Sequence, residues 1–82
     1  VDINDFKEVS YAIYPNPANI GEDIMIVANS NVKNIEIFDI SGKKVLTTNS
    51  KKINTEKFLI GTYITLIHLN NGGVIENKII IQ

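Results

Sequence analysis

The chain has no cysteine, no tryptophan and no arginine, and only two prolines and one histidine among its 82 residues. Each absence removes a class of function. Without cysteine there is no disulfide, no thiolate metal site and no cysteine nucleophile. The compartment stays open, because a secreted protein need not use disulfides. A lone histidine, His68, forms no H-x-x-x-H or H-E-x-x-H pattern, so zinc has no cage. It reads as a strand residue at the surface or the core edge, since any site needs partner residues. The eight basic residues are all lysines, and nine acidic residues bring the net charge to −1. Adjacent lysines occur only as Lys43-Lys44 and Lys51-Lys52, too short for a nucleic-acid footprint. No apolar run approaches the ~18–20 residues of a membrane span. The opening VDINDFKEVS has neither the basic nor the apolar region of a signal peptide and no initiator methionine. It reads as a piece cut from a larger polypeptide, with this piece expected at the C-terminal end.

Catalytic constellations are equally sparse. The acidic residues are scattered, and spacing selects no carboxylate pair for acid–base work. Asp2-Ile3-Asn4-Asp5 resembles the start of a calcium loop but lacks its glycine and its bidentate glutamate. Gly72-Gly73 has no phosphate-loop lysine and hydroxyl behind it, and Ser41-Gly42 is a turn because G-x-S-x-G is absent. No nucleophile, base and stabiliser can be assembled, so the chain is read as non-enzymatic, with no cofactor and no metal. The six aromatics, Phe6, Tyr11, Tyr14, Phe38, Phe58 and Tyr63, are expected in the core rather than on a sugar-binding platform.

What the chain does have is isoleucine, valine and threonine in short alternating runs, which favour pleated strands. About seven strands are expected: near Val9 to Ile13, Asp23 to Ala28, Asn34 to Ile40, Lys43 to Thr48, Lys51 to Asn54, Thr62 to Leu69 and Val74 to Ile81. Ile35 and Ile37 point to one face, Glu36 and Phe38 to the other. Ser41-Gly42 and Asn70-Asn71-Gly72-Gly73 are tight hairpin turns. Thr55 to Ile60 is expected to make one helical turn capped by Asn54 or Thr55. Strands at this spacing with turn residues between them point to an all-β antiparallel sandwich. A chain of this length supports one domain with a thin core. Residues 1–10 read as a linker or tether and residues 11–82 as the domain.

Tyr-Pro-Asn-Pro-Ala (Tyr14 to Ala18) stands apart. Each proline fixes φ, removes a donor and biases the preceding residue toward extended geometry. Downstream lie VKNIEIFDISGKKVL (Val32 to Leu46) and INTEKFLIGTYITLIHLNNGGVIENKIIIQ (Ile53 to Gln82). In this order and spacing, Pro15-Asn16-Pro17, Asp39 with Gly42-Lys43, Gly61 with Tyr63, and Lys78 with Ile79 to Ile81 resemble the C-terminal sorting domain of cargo exported by the type IX secretion system of Gram-negative bacteria. The chain departs from the family in ending on Gln82 rather than on a basic residue, and in carrying Phe58-Leu59-Ile60-Gly61 where L-x-x-G is frequent.

The resemblance implies a seven-stranded immunoglobulin-like sandwich acting as an export signal. It implies a covalently attached N-terminal cargo, transit through the periplasm, recognition by the outer-membrane translocon, and cleavage by a sortase-like peptidase. The cargo then ends on the outer-membrane surface or outside the cell. Gly42 and Gly61 are expected to serve backbone geometry, and Tyr63 to bury its ring with its hydroxyl on backbone. The terminal strand, Val74 to Gln82, is expected to be an exposed edge open to β-augmentation. Lys78, Ile79, Ile80, Ile81 and Gln82 are then the candidate recognition residues, and two copies could also pair through such edges. The rival readings are an immunoglobulin- or fibronectin-like spacer and a carbohydrate-binding module of an extracellular enzyme.

Overall fold

The computed structural model describes residues 10–82. The Asp2-Asp5 stretch, Phe6 and nearly all of the expected tether lie outside them. The strands are β1 (Tyr11–Tyr14), β2 (Asp23–Ala28), β3 (Val32–Asp39), β4 (Lys44–Thr48), β5 (Lys52–Asn54), β6 (Gly61–Leu69) and β7 (Val74–Ile81). They form a three-stranded sheet, β1-β2-β5, and a four-stranded sheet, β4-β3-β6-β7. Every strand pairing is antiparallel. The result is the expected all-β sandwich, with β1 and β5 at the edges of one sheet and β4 and β7 at the edges of the other.

The core follows from strand alternation. Ile24 and Ile26 of β2 meet Ile35 and Ile37 of β3, Ile67 of β6, and Ile79 and Ile81 of β7, all essentially without solvent contact. Along β6, Tyr63, Thr65, Ile67 and Leu69 turn inward while Thr62, Ile64, Leu66 and His68 lie half-buried on the outer face. Burying each isoleucine contributes roughly 1.5–3 kcal/mol, so a few strands of alternating isoleucine suffice for a thin core.

Two expectations are corrected. The stretch from Thr55 to Ile60 is not helical. It makes a single turn, with the Phe58 amide donating to the Thr55 carbonyl at 2.9 Å and the Glu56 amide donating to the Asn54 side chain at 2.9 Å. Thr55 is fully buried: its hydroxyl donates to the Glu22 carbonyl (2.7 Å) and accepts from the Gly21 amide (2.8 Å). Those tertiary bonds tie the loop to the β1–β2 connection, and so override any local helical tendency. The aromatics are also not a shared core. Tyr63 is buried and packs against Phe58 with the rings tilted at 58° and a centroid distance of 5.2 Å. Tyr11 and Tyr14 stand exposed, because the short edge strand β1 makes its core contact through Ile13.

The β3–β4 hairpin turns at Gly42, whose φ of 91° lies in the left-handed region. Open space surrounds the position of a Cβ there, so backbone conformation alone demands glycine. Gly42→Val is expected to lower stability by roughly 1–2 kcal/mol, read as a fall in melting temperature. An unchanged melting temperature would remove this turn assignment.

Candidate functional site

The free edge of β7 is where the proline segment ends up. The peptide bonds before Pro15 and Pro17 are both cis. Asn16 grips the terminal strand with both ends of its amide: Nδ2 donates to the Lys78 carbonyl at 2.9 Å and Oδ1 accepts from the Ile80 amide at 3.0 Å. The chain then runs parallel to β7. The Ala18 amide donates to the Ile80 carbonyl (2.8 Å), the Gln82 amide to the Ala18 carbonyl (2.8 Å), and the Ile20 amide to the Gln82 carbonyl (2.9 Å). Ala18 is fully buried, so the seam has a packed centre as well as hydrogen bonds.

These bonds show which way the strand faces. The even-numbered residues of β7 aim their backbone groups outward, and Asn16, Ala18 and Ile20 meet them. Pro15 and Pro17 carry no N–H, so the segment has two fewer donors to offer a further strand. The expectation of an open edge along Val74 to Gln82 is thus corrected from Lys78 onward, where the outward groups are already paired. The side chains of the candidate recognition residues also separate. Ile79 and Ile81 are each 1% exposed and belong to the core. Lys78, Ile80 and Gln82 project to solvent. A further tie holds this side of the sandwich, with the Asn77 side-chain Nδ2 donating to the Tyr11 hydroxyl at 3.1 Å.

The remaining motif positions resolve into local devices. The Asp39 carboxylate accepts from the Ser41 amide (2.9 Å), the Ser41 hydroxyl (2.6 Å) and the Lys43 amide (3.0 Å), which closes the turn that Gly42 permits. The Ser41 hydroxyl above all, then the Lys43 amide, holds the Asp39 carboxyl below its ordinary value. Lys43 projects to solvent at the end of this turn. Gly61 opens β6 at a φ of 158° with open space where a Cβ would stand, so backbone conformation rather than close approach favours glycine there. Tyr63 does what its position implied: its hydroxyl donates to the Leu59 carbonyl at 2.7 Å.

On the outer face, Glu36 joins Lys44 (2.9 Å) and His68 (2.6 Å). The Lys44 ammonium first, then His68, holds the Glu36 carboxyl below its ordinary value. Both perturbed carboxyls bind fewer protons folded than unfolded. They stabilise the fold above the ordinary carboxylate range of about 4–4.5, and that contribution is lost as pH falls through their lowered folded values. Melting temperature is expected to drop on acidification from pH 7 toward pH 3. It should drop less steeply in the Glu36→Gln, Asp39→Asn double variant. Parallel curves for the two proteins would contradict the assignment.

Among the described residues, no group of three or more histidine, cysteine, aspartate or glutamate side chains could hold a metal ion, and no helix is long and apolar enough to cross a membrane. Sequence reasoning missed Ala18 and Thr55. The signal available for Ala18 was its place directly after the second proline. For Thr55 there was none, because its partners lie more than thirty residues away.

Residues 12–82 match the family model described as "Secretion system C-terminal sorting domain". No curated protein matches the chain. Among solved structures it is similar to CopC from Methylosinus trichosporium OB3b, with 13% identity and a TM-score of 0.49 over 88% of this chain and 91% of that one.

Proposed function

The chain belongs to the family of secretion system C-terminal sorting domains, and from this we propose that it is read by the type IX translocon as a folded surface whose terminal strand is locked in place. It is a sorting signal for type IX secretion, a non-catalytic role that sends an attached cargo to the outer-membrane surface or the extracellular space. The single observation carrying the proposal is the Asn16 grip on Lys78 and Ile80. A signal borne by many cargoes needs one shape independent of them, and a terminal strand sealed against its own domain supplies it. Lys78, Ile80 and Gln82 are then the part of the terminal strand that a receptor meets, while Ile79 and Ile81 hold the strand to the core. In this reading the cargo passes through the periplasm, the translocon engages the folded domain, and a sortase-like peptidase cuts ahead of β1. Pairing of two copies along Lys78 to Gln82 would first have to displace the proline segment, so that stretch is disfavoured as a dimer edge.

The test is an export assay. An inner-membrane export signal, a fluorescent cargo and residues 1–82 are fused and expressed in hosts with and without the outer-membrane translocon. Surface or medium fluorescence is expected only with the translocon. A Lys78→Glu, Ile80→Ser, Gln82→Ala variant should keep its melting temperature and lose export. Undiminished export by that folded variant would overturn the role of the row. Truncating Lys78 to Gln82 would not be informative, since it also removes Ile79 and Ile81 from the core.

A further inference from the structure

The edge of the four-stranded sheet opposite the sealed one is open, and the most exposed apolar side chains of the domain gather beside it. Ile40, Leu59 and Ile60 are 80%, 80% and 70% exposed, and Val45 of β4 is 42% exposed. All four line one cleft of about 870 Å³ between β4, β5 and the loop leading into β6. Exposed aliphatic side chains gathered at one cleft mark an interaction surface more often than scattered ones do. The backbone edges beside it differ. On β5 the Ser50 hydroxyl occupies both the amide (3.2 Å) and the carbonyl (3.0 Å) of Lys52. β4 pairs with β3 on one side and, among the described residues, has no strand on the other.

Charge selects the occupant. Five of the eight lysines lie between positions 43 and 57, with Glu56 the only acidic residue in that stretch. Lys44 and Lys52 are engaged by Glu36 and Asp23. Among the described residues Lys43, Lys57 and Glu56, all lining the cleft, take part in no salt bridge, which leaves two positive charges against one negative. The Asp39 carboxylate at the cleft rim is committed to its own turn. An extended segment adding to β4 would turn one row of side chains into the cleft, where aliphatic ones meet Ile40, Val45, Leu59 and Ile60 and acidic ones meet Lys43 and Lys57.

We propose that the β4 edge and its cleft form a docking site for an extended segment of a partner protein that carries both aliphatic and acidic side chains. The site goes beyond the export reading and stands apart from the sealed terminal strand.

The probe is a short synthetic peptide of glutamate and valine with both types on each face of the strand, titrated into isotope-labelled domain and followed by amide chemical shifts. A control peptide carries lysine in place of glutamate. Shifts are expected at Lys43 to Thr48, Leu59 and Ile60, with none along β7, and the control should leave them unmoved. Lys43→Glu with Lys57→Glu should weaken binding by roughly tenfold or more, as should Leu59→Ser with Ile60→Ser. All four residues are exposed or at the cleft surface, so melting temperature should stay unchanged and keep the comparison interpretable. No shifts, shifts centred on β7, or equal binding by the control would overturn the proposal. Shifts at the same residues on raising protein concentration without peptide would assign the surface to a second copy and overturn it as well. Neither peptide result bears on the export assay, so each reading can fail alone.

Discussion

Ile79→Ala should unfold much of this domain at temperatures where the wild type is intact, with a destabilisation of about 2–5 kcal/mol. Ile79 is 1% exposed and packs in the central cluster of the sandwich. Its truncation loses the transfer free energy of the removed carbons and leaves a cavity that the surrounding core can only partly close. A chain of 82 residues has little stability in reserve. For a domain of this size the loss corresponds to roughly 10–30 °C in melting temperature. The neighbouring Ile80→Ser is the contrast. Ile80 faces outward at 39% exposure, and its change should stay within about 0.5 kcal/mol. Thermal unfolding followed by circular dichroism separates the two. Equal effects at 79 and 80 would mean that the strand's inner and outer faces have been misassigned.

Ala18→Leu should be the second most damaging change, at about 1–3 kcal/mol from overpacking. Ala18 is fully buried, and its amide and carbonyl are both bonded to the terminal strand. A larger side chain can be accommodated only by lifting the segment, which breaks the bonds to Ile80 and Gln82, or by displacing core isoleucines. Asn16→Ala should cost less, because the freed Lys78 carbonyl and Ile80 amide are accessible to water. A melting temperature unaffected by Ala18→Leu would show that the segment is not seated against β7.

The sandwich was legible because its strands carry their own periodicity. Ile35 and Ile37 alternate with Glu36 and Phe38, and only one face of such a strand can be buried. The hairpins were legible because Gly42 and Gly72 hold positive φ where most residues would be strained. The seal on β7 was not. It joins residues more than sixty positions apart, and no local pattern reports that Asn16 will meet Lys78. Prolines marked an extended, donor-poor segment but could not say which strand it would meet. The open cleft was hidden for the opposite reason. Ile40, Leu59 and Ile60 have the composition of core residues, and only the topology reveals that the loops holding them lie outside both sheets. Thr55 shows the same limit, since a buried tertiary bond prevailed over a plausible cap.

The central claim is that the proline segment locks the terminal strand, so that the export signal is a folded surface rather than a loose tail. Native-state hydrogen exchange tests it most directly. The amides of Ala18, Ile80 and Gln82 should exchange slowly, and the outward amide of Glu76, beyond the reach of the seal, should exchange fast. Asn16→Ala should speed exchange at Ile80 while leaving the β3–β6 ladder protected. Ile80 and Gln82 exchanging as fast as Glu76 in the wild-type domain would contradict the account.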